Sequence, residues 1–491
     1  QASAGPRFRG GFSMAWAWAF LLCLAAAAAG SPLGDADGLR VDSAGRLVDR
    51  HGRARFFHGM NVVYKEWPWL PAGGAFDANA SLNDGDMELL RSWGFNMVRL
   101  GVMWPAVEPE KGRISRSYLE AVSGLTKALA TRGIHTLLDL HQDLGSRRFC
   151  GEGFPEFYVD ELLGDPGSTL SKAKAFPFPL QMHPMPANES GFPALEACLK
   201  TEFGLYYATE KVGALWKSLY ERGSSLNSGI ARYWKAVAEI FRARPEIMGY
   251  ELLNEPSDVC LEGTLTSCVH SAVDKRSEER YLVPLYQDLA ASIRAVDGET
   301  PIFYEPFPVP KPWRPYFAEP PLGNDSQQVL AHHVYCGGLP VPCEMVQDLY
   351  MEKMADFTAK HTGIGSFMSE FGAIGESDEE ISQVDRLLNL ADKHLQSWAY
   401  WELKLFRDFT TENAAESLYD NSGRLEERKL KLLSRTYAQA VAGEPRRMEF
   451  KAATGDFDLE FVAAASQAAP TEIFLNEALH YPSGFEAQVQ P

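Results

Sequence analysis

Asn96-Met97-Val98-Arg99-Leu100, the run YLEAVSGLTKALATR at 118–132, and Ile134-His135-Thr136-Leu137-Leu138-Asp139-Leu140 decide the fold. The outer two are short apolar runs of strand length, and the middle one is an amphipathic stretch of helix length. Strand, helix, strand in that order means parallel pairing with a covering helix. The pattern repeats in both directions. Phe56–Val62 reads as a strand before it, with a helix over Met87–Trp93. Further strands are expected at Met248–Leu253, Ile302–Tyr304, Val329–Val334, Ser366–Ser369 and Ser397–Trp401. Helices are expected at Arg232–Arg242, Arg280–Val296, Cys343–Lys360, Glu379–His394 and Leu425–Val441. Eight strand-helix units over roughly 390 residues point to a closed (β/α)8 barrel, an α/β fold, over an open doubly wound sheet. No Gly-x-Gly-x-x-Gly follows an early strand, so a dinucleotide-binding sheet has nothing with which to hold phosphate.

Composition sets the surroundings. The chain of 491 residues is 45% apolar, 12% aromatic and 23% charged, the profile of a folded protein and not of a disordered one. Its net charge of −18 repels polyanions, which makes nucleic acid an unlikely ligand by electrostatics alone. Met14–Ala29 has the length and apolarity of a signal-peptide core and is too short to span a membrane, so cleavage is expected near Ala29–Ser31 with Met14 as the start. A buried N-terminal helix is the alternative. Removing the signal takes Cys23 and leaves six cysteines, an even set suited to an oxidising route. Cys260/Cys268 and Cys336/Cys343 each enclose a short loop and are the simplest pairs, with Cys150/Cys198 following by exclusion; free buried thiols are the alternative. Sequons at Asn79, Asn188 and Asn324 suit glycosylated surface loops. The expected product is a secreted or lysosomal-pathway glycoprotein, soluble once cleaved.

Two regions depart from a plain barrel. About 85 residues, Asp143–Ser228, separate the third strand from its helix, and connections of that length are usually functional. This insertion carries Phe154, Phe157, Phe176, Phe178, Leu180, Met182, Met185 and Phe192 among many prolines. It reads as an exposed apolar groove for lipid chains, or else as a loop folded into its own small core. After residue 443 the pattern turns to short alternating strands at Met448–Lys451, Phe457–Phe461 and Thr471–Leu475. These read as the start of a β-sandwich, and the remaining 47 or so residues are fewer than a whole one needs. The expected organisation is leader and signal at 1–31, a catalytic barrel at 32–443, and a partial C-terminal sandwich at 444–491.

Chemistry concentrates at two strand ends. Gly249-Tyr250-Glu251-Leu252-Leu253-Asn254-Glu255-Pro256 closes the fourth strand and Phe367-Met368-Ser369-Glu370-Phe371-Gly372 the seventh. Barrel active sites are built from C-terminal strand ends, so Glu255 and Glu370 should face each other across the mouth. Two such carboxylates are what glycosidic cleavage needs, one to protonate the leaving oxygen and one to attack or to activate water. The competing reading is a salt bridge at the barrel rim.

Around these residues the sequence resembles the clan A retaining glycoside hydrolases of family 5 and, within them, the endoglycoceramidases, which release intact glycan from ceramide. The resemblance runs from about Val41 to Tyr481 and rests on Gly59–Lys65, Gly94–Gly101, Leu138–Asp143, Leu253–Pro256, Phe303–Phe307, His333–Tyr335, Ser369–Gly372 and Tyr400–Lys404. It implies Glu255 as acid/base and Glu370 as nucleophile, with Arg99 and Tyr335 donating to Glu370. Asn254 would bond the sugar 2-hydroxyl, His141 and His333 would line the site, Trp401 would offer a flat face to a sugar ring, and Lys65 and Asp143 would read its hydroxyls. Plainer alternatives stand beside these: Arg99 as a core tie between carboxylates, His141, His333 and His332 as structural histidines, Trp401 as core, and Asp139 as structural. Glu305, at the end of the fifth strand, could compete for the acid role, but Pro306 and the aromatic residues around it suggest substrate positioning or packing. No cofactor or metal is expected. The implied partner is a glycosphingolipid, met in transient contact with a membrane or micelle surface, with no obligate protein partner evident. Rival functions are a β-glucosidase or galactosidase on another lipid aglycone, such as a steryl glucoside or galactosylceramide, and a non-catalytic glycolipid-binding barrel.

Overall fold

The computed structural model describes residues 7–11, 32–34, 38–180, 183–264, 266–268, 274, 276–308, 316–336, 341–410 and 414–490. The expected signal segment, Met14–Ala29, lies outside them. Eight parallel strands close into a barrel: β1 (His58–Val62), β2 (Met97–Gly101), β3 (His135–Asp139), β4 (Ile247–Glu251), β5 (Ile302–Tyr304), β6 (Gln328–Val334), β7 (Gly365–Phe371) and β8 (Ser397–Tyr400). Pairing of β8 with β1 closes it.

The alternation of side chains along these strands separates two layers inside the barrel. Met97, Leu137, Met248, Phe303, Val329, Phe367 and Ala399 belong to one buried apolar cluster. Two residues further along their strands come Arg99, Asp139, Glu305 and Trp401, and three further along β4 comes Glu251. Gly249 is required by this packing, because a Cβ there would stand 2.2 Å from the Phe303 ring. Apolar residues thus plug the N-terminal end while polar ones gather at the C-terminal mouth. A bulge between His332 and His333 shifts the β6–β7 register and sets His333 opposite Glu370.

The helices are α1 (Asp84–Ser92), α2 (Arg116–Ala130), α3 (Ser225–Phe241), α4 (Val283–Arg294), α5 (Cys343–Lys360) and α6 (Asp378–Lys393). Capping boxes at Asn83/Asp86 and Ser377/Glu380 start α1 and α6, each satisfying amides left open by the first turn. Two expectations fail. Among the described residues no helix joins β5 to β6; that connection carries seven prolines between 306 and 321, which have no amide hydrogen for a helix ladder. The expected helix over Leu425–Val441 stops early as α7 (Glu427–Leu433), and Tyr437–Val441 becomes strand β9. Antiparallel pairing with Ala54–Arg55 and Glu472–Phe474 overrides the helical preference of its alanines.

Beyond the barrel, β9 is followed by β10 (Gly443–Lys451), β11 (Asp456–Ala463), β12 (Glu472–Phe474) and β13 (Glu486–Val489). They form two sheets. One runs β10, β11, Arg7–Gly11, β13; the other runs β12, β9 and then the two-residue strands Ala54–Arg55, Leu47–Val48 and Arg40–Val41. Ala54, Tyr437, Val441, Phe450, Phe457 and Phe474, drawn from both sheets, share one apolar cluster. Residues preceding the barrel therefore complete the sheet that follows it.

The insertion after β3 is neither an exposed groove nor a separate small core: Phe149, Phe154, Leu170 and Tyr206 share one apolar cluster with Trp104 and Tyr233 of the barrel. Disulfide Cys150–Cys198 closes its first part, helices Glu156–Gly164 and Glu210–Tyr220 cross it, and Phe154 is only 1% exposed. Phe176 packs its ring 5.6 Å from that of Phe149 and 5.2 Å from that of Tyr206. Phe157, Phe178, Leu180, Met185 and Phe192 are half-buried, and Met182 lies outside the described residues. Burial of such rings is worth about 1.5–3 kcal/mol each, which proline-rich backbone leaves to tertiary packing instead of a helix face. The other expected pairs, Cys260–Cys268 and Cys336–Cys343, are also joined. Asn79, Asn188 and Asn324 are all exposed. No described helix is long and apolar enough to cross a membrane.

Candidate active site

Arg99, from β2, sits at the centre of the mouth with no exposed surface. Its guanidinium meets one acceptor on almost every side. Nη1 donates to Glu370 Oε1 at 2.5 Å and to Asn61 Oδ1 at 3.0 Å, and Nη2 donates to Asn254 Oδ1 at 2.9 Å. Nε bonds Glu251, while Asp139 lies 3.2 Å and Glu305 3.6 Å from Nη2. Burial opposes a charge here, but these carboxylates outweigh it and hold the guanidinium protonated. Arg99 is thus both things the sequence allowed, a tie in the core and a donor to Glu370.

Glu370 receives a second hydrogen bond, from Tyr335 Oη to Oε2 at 2.9 Å. Burial raises its pKa above the ordinary value, and the charge of Arg99 offsets only part of that rise. Among the described residues no lysine or arginine lies at bonding distance from Glu255. Its Oε1 lies 2.8 Å from His333 Nδ1, and its side chain is 17% exposed at the mouth. Burial and the negative charge of Asp143 push it up to about 7, against the ordinary 4.5. His333 goes the other way: burial lowers it to about 4, so the ring between the two carboxylates is neutral near pH 7. One oxygen of Glu255, one of Glu370 and a nitrogen of His333 all lie within 4.8 Å of one another.

Glu255 sits at φ 39°, a left-handed conformation that a side chain disfavours. Gln142 helps to hold it, donating to the carbonyl oxygens of Asn254 at 2.8 Å and Glu255 at 3.2 Å. Asn254 uses Nδ2 on the Gln142 carbonyl at 3.0 Å; an amide NH2 has two hydrogens, so one is left for a substrate hydroxyl.

A second group adjoins the first. Lys65 donates to Asp143 at 2.5 Å, Asp408 at 2.9 Å and Thr410 at 3.1 Å, and lies 3.9 Å from Glu152. His141 Nδ1 bonds Asp139 at 2.8 Å; burial works against its charge, but Asp139 and Asp143 raise it to about 10. Trp401 stacks on His141 at 5.2 Å, stands 5.0 Å from Lys65 Nζ, and donates Nε1–H to Glu416 at 2.9 Å. His141 covers one ring face and 6% of the tryptophan is exposed, less than an open platform. His332 points away, buried and lowered to about 3 by desolvation, as packing.

All ten residues singled out from the sequence, Lys65, Arg99, His141, Asp143, Asn254, Glu255, His333, Tyr335, Glu370 and Trp401, are gathered at this mouth. Sequence reasoning missed Glu152, Gln142, Asp408 and Glu416. Gln142 stood inside a quoted motif and had a signal; Asp408 and Glu416 lie on the loop after β8, where no pattern marks them. Asp139, taken as structural, bridges Arg99 to His141.

Comparison with known proteins identifies the family and the fold. The model described as Cellulase (glycosyl hydrolase family 5) matches residues 77–406, and that of the glycoside hydrolase family 5 C-terminal domain matches 435–491. An endoglycoceramidase of Cyanea nozakii is 32% identical, over 94% of this chain and 90% of that protein. Endoglycoceramidase I of Rhodococcus hoagii is 32% identical, over 92% and 82%. Among solved structures, endo-glycoceramidase II from Rhodococcus sp. superposes with a TM-score of 0.66 at 21% identity, covering 88% of this chain and 89% of that one.

Proposed function

The chain belongs to glycosyl hydrolase family 5 and is a glycosidase, and we propose that it cleaves the bond between glycan and ceramide in glycosphingolipids by double displacement. The observation that carries this is the pair Glu255/Glu370: two carboxylates within 4.8 Å, one hydrogen-bonded by Arg99 and Tyr335 and the other with no lysine or arginine at bonding distance among the described residues. Retaining enzymes hold their carboxyls about 5–5.5 Å apart, and inverting ones wider, to admit a water.

The division of labour follows from the surroundings. Near pH 7 the shared proton belongs on Glu255, whose charge would be opposed by burial and Asp143, and not on Glu370, which Arg99 holds ionised. Glu370 attacks the anomeric carbon while Glu255 protonates the departing oxygen. Glu255, now a carboxylate, takes a proton from water, which releases the sugar with its configuration retained. The free hydrogen of Asn254 suits the sugar 2-hydroxyl, and Lys65, Asp143, His141 and Trp401 suit the remainder of the glycan. A fixed polar layer of this kind costs no reorganisation as charge develops.

Ceramide as aglycone is supported by the endoglycoceramidase relatives, which match nearly the whole chain. Val341 and Met345, 45% and 61% exposed, follow Tyr335 across the Cys336–Cys343 disulfide and suit contact with ceramide or a membrane surface. Three disulfides and exposed sequons suit a secretory route.

A glycoside whose sugar carries 2-fluoro and an activated leaving group tests the assignment. It should trap a covalent adduct that peptide mass spectrometry finds on Glu370 and that Glu370→Gln abolishes. A label on any other residue refutes it.

A further inference from the structure

We propose that Glu305 is a positioning residue for Glu255, holding that glutamate by its backbone amide. The proposal rests on the acid/base role assigned to Glu255. Glu305 follows β5, and its Oε2 accepts the amide hydrogen of Glu255 at 3.3 Å. The same oxygen lies 3.4 Å from Nε2 of His333 without a hydrogen bond between them. The contact to the Glu255 amide is therefore the one through which Glu305 acts. It restrains a residue whose φ of 39° is otherwise disfavoured.

The groups around Glu305 decide its chemistry. Arg99 reaches it from β2 at 3.6 Å, a much longer approach than the 2.5 Å to Glu370, so charge pairing is not its main contact. Glu251 from β4, Glu370 from β7 and Glu255 itself are like charges facing it, and Tyr286 bonds its carbonyl oxygen at 2.7 Å. Burial and Glu251 hold its carboxyl well above the ordinary range. The role that geometry supports is acceptance of the Glu255 amide hydrogen, which fixes the backbone from which the acid/base side chain projects. No redox or group-transfer step is involved.

The test compares Glu305→Leu and Glu305→Gln on detergent-dispersed lactosylceramide, a poor leaving group, and on dinitrophenyl lactoside, whose departure needs no acid. General acid catalysis is worth about 10²–10⁴-fold, and misplacing the acid forfeits part of it. Glu305→Leu should lower kcat/KM about 10- to 100-fold on the lipid and less than about threefold on the aryl lactoside. Glu305→Gln keeps a carbonyl oxygen to accept the Glu255 amide hydrogen and should recover both rates to within about threefold of the parent. Equal loss on both substrates in Glu305→Leu, or no recovery in Glu305→Gln, overturns the proposal. Glu255→Gln run in parallel separates the two layers: if it too loses both substrates equally, the acid/base assignment falls and this inference with it.

Discussion

Removing the Tyr335 hydroxyl isolates one contact to Glu370 without altering charge and with little change in volume. In the parent, Oη donates to Glu370 Oε2 at 2.9 Å. A hydrogen bond to a charged acceptor is worth about 1.5–3 kcal/mol, against about 1 kcal/mol for a neutral pair. The tyrosine therefore favours the carboxylate over the carboxylic acid by about 0.5–2 kcal/mol, and 1.36 kcal/mol is about one pKa unit. Tyr335→Phe should thus raise the Glu370 pKa by about one unit. The sign fixes the observable: the nucleophile works ionised, so the acid limb of kcat/KM against pH moves to higher pH, and activity is lost first on the acid side. The assay is a pH series on dinitrophenyl lactoside, where Glu255 is not needed as acid and the limb reports Glu370 alone. The alkaline limb with lactosylceramide, set by Glu255 near 7, should stay where it is. An unmoved acid limb, or a shift confined to the alkaline one, refutes the reasoning.

Lys65→Met leaves Asp143 and Asp408 buried without their cation and should cost about 3–5 kcal/mol, read as a lowered denaturation midpoint. The Asp143 carboxyl is held below its ordinary value, first against burial and then by Lys65, so this stabilisation is present above the unfolded aspartate pKa of about 3.9 and fades below it; the gap between variant and parent should narrow toward pH 3. Cys150→Ala with Cys198→Ala opens a 48-residue loop, for which the chain-entropy treatment gives up to about 4 kcal/mol; a smaller Tm with intact barrel circular dichroism is expected, and an unchanged Tm contradicts the packed insertion. Val341→Asp with Met345→Asp should lower turnover of dispersed lactosylceramide about tenfold or more while sparing the aryl lactoside, since each apolar contact is worth about 1.5–3 kcal/mol; parallel loss on both would remove these residues from the lipid contact.

Legibility in the sequence followed the range of the interactions. Barrel strands were readable because burial on both faces writes itself as a continuous apolar run, and Ile302–Tyr304 and Cys343–Lys360 end where periodicity says they should. Glu255 and Glu370 were readable because strand ends have a fixed place in a barrel. The helix drawn over Leu425–Val441 failed because Tyr437–Val441 pairs with Ala54–Arg55, a partner far away in the chain, and local composition does not carry that pairing. Prolines exclude a regular helix face in the insertion, so local pattern leaves its rings either exposed or packed; the structure packs Phe176 against Phe149 and Tyr206 within the barrel's own apolar cluster, a long-range contact that no spacing carries. Asp408 and Glu416 were invisible for a related reason: they reach Lys65 and Trp401 from the loop after β8, and no spacing rule connects those positions.

The central claim is that Glu255 and Glu370 release an intact glycan from ceramide with retention. A proton NMR time course of lactosylceramide hydrolysis, begun before mutarotation sets in, tests it most directly. The account predicts lactose as the first sugar, in the β-anomeric form, appearing with ceramide. Free galactose with glucosylceramide, or lactose appearing first as the α-anomer, would contradict it.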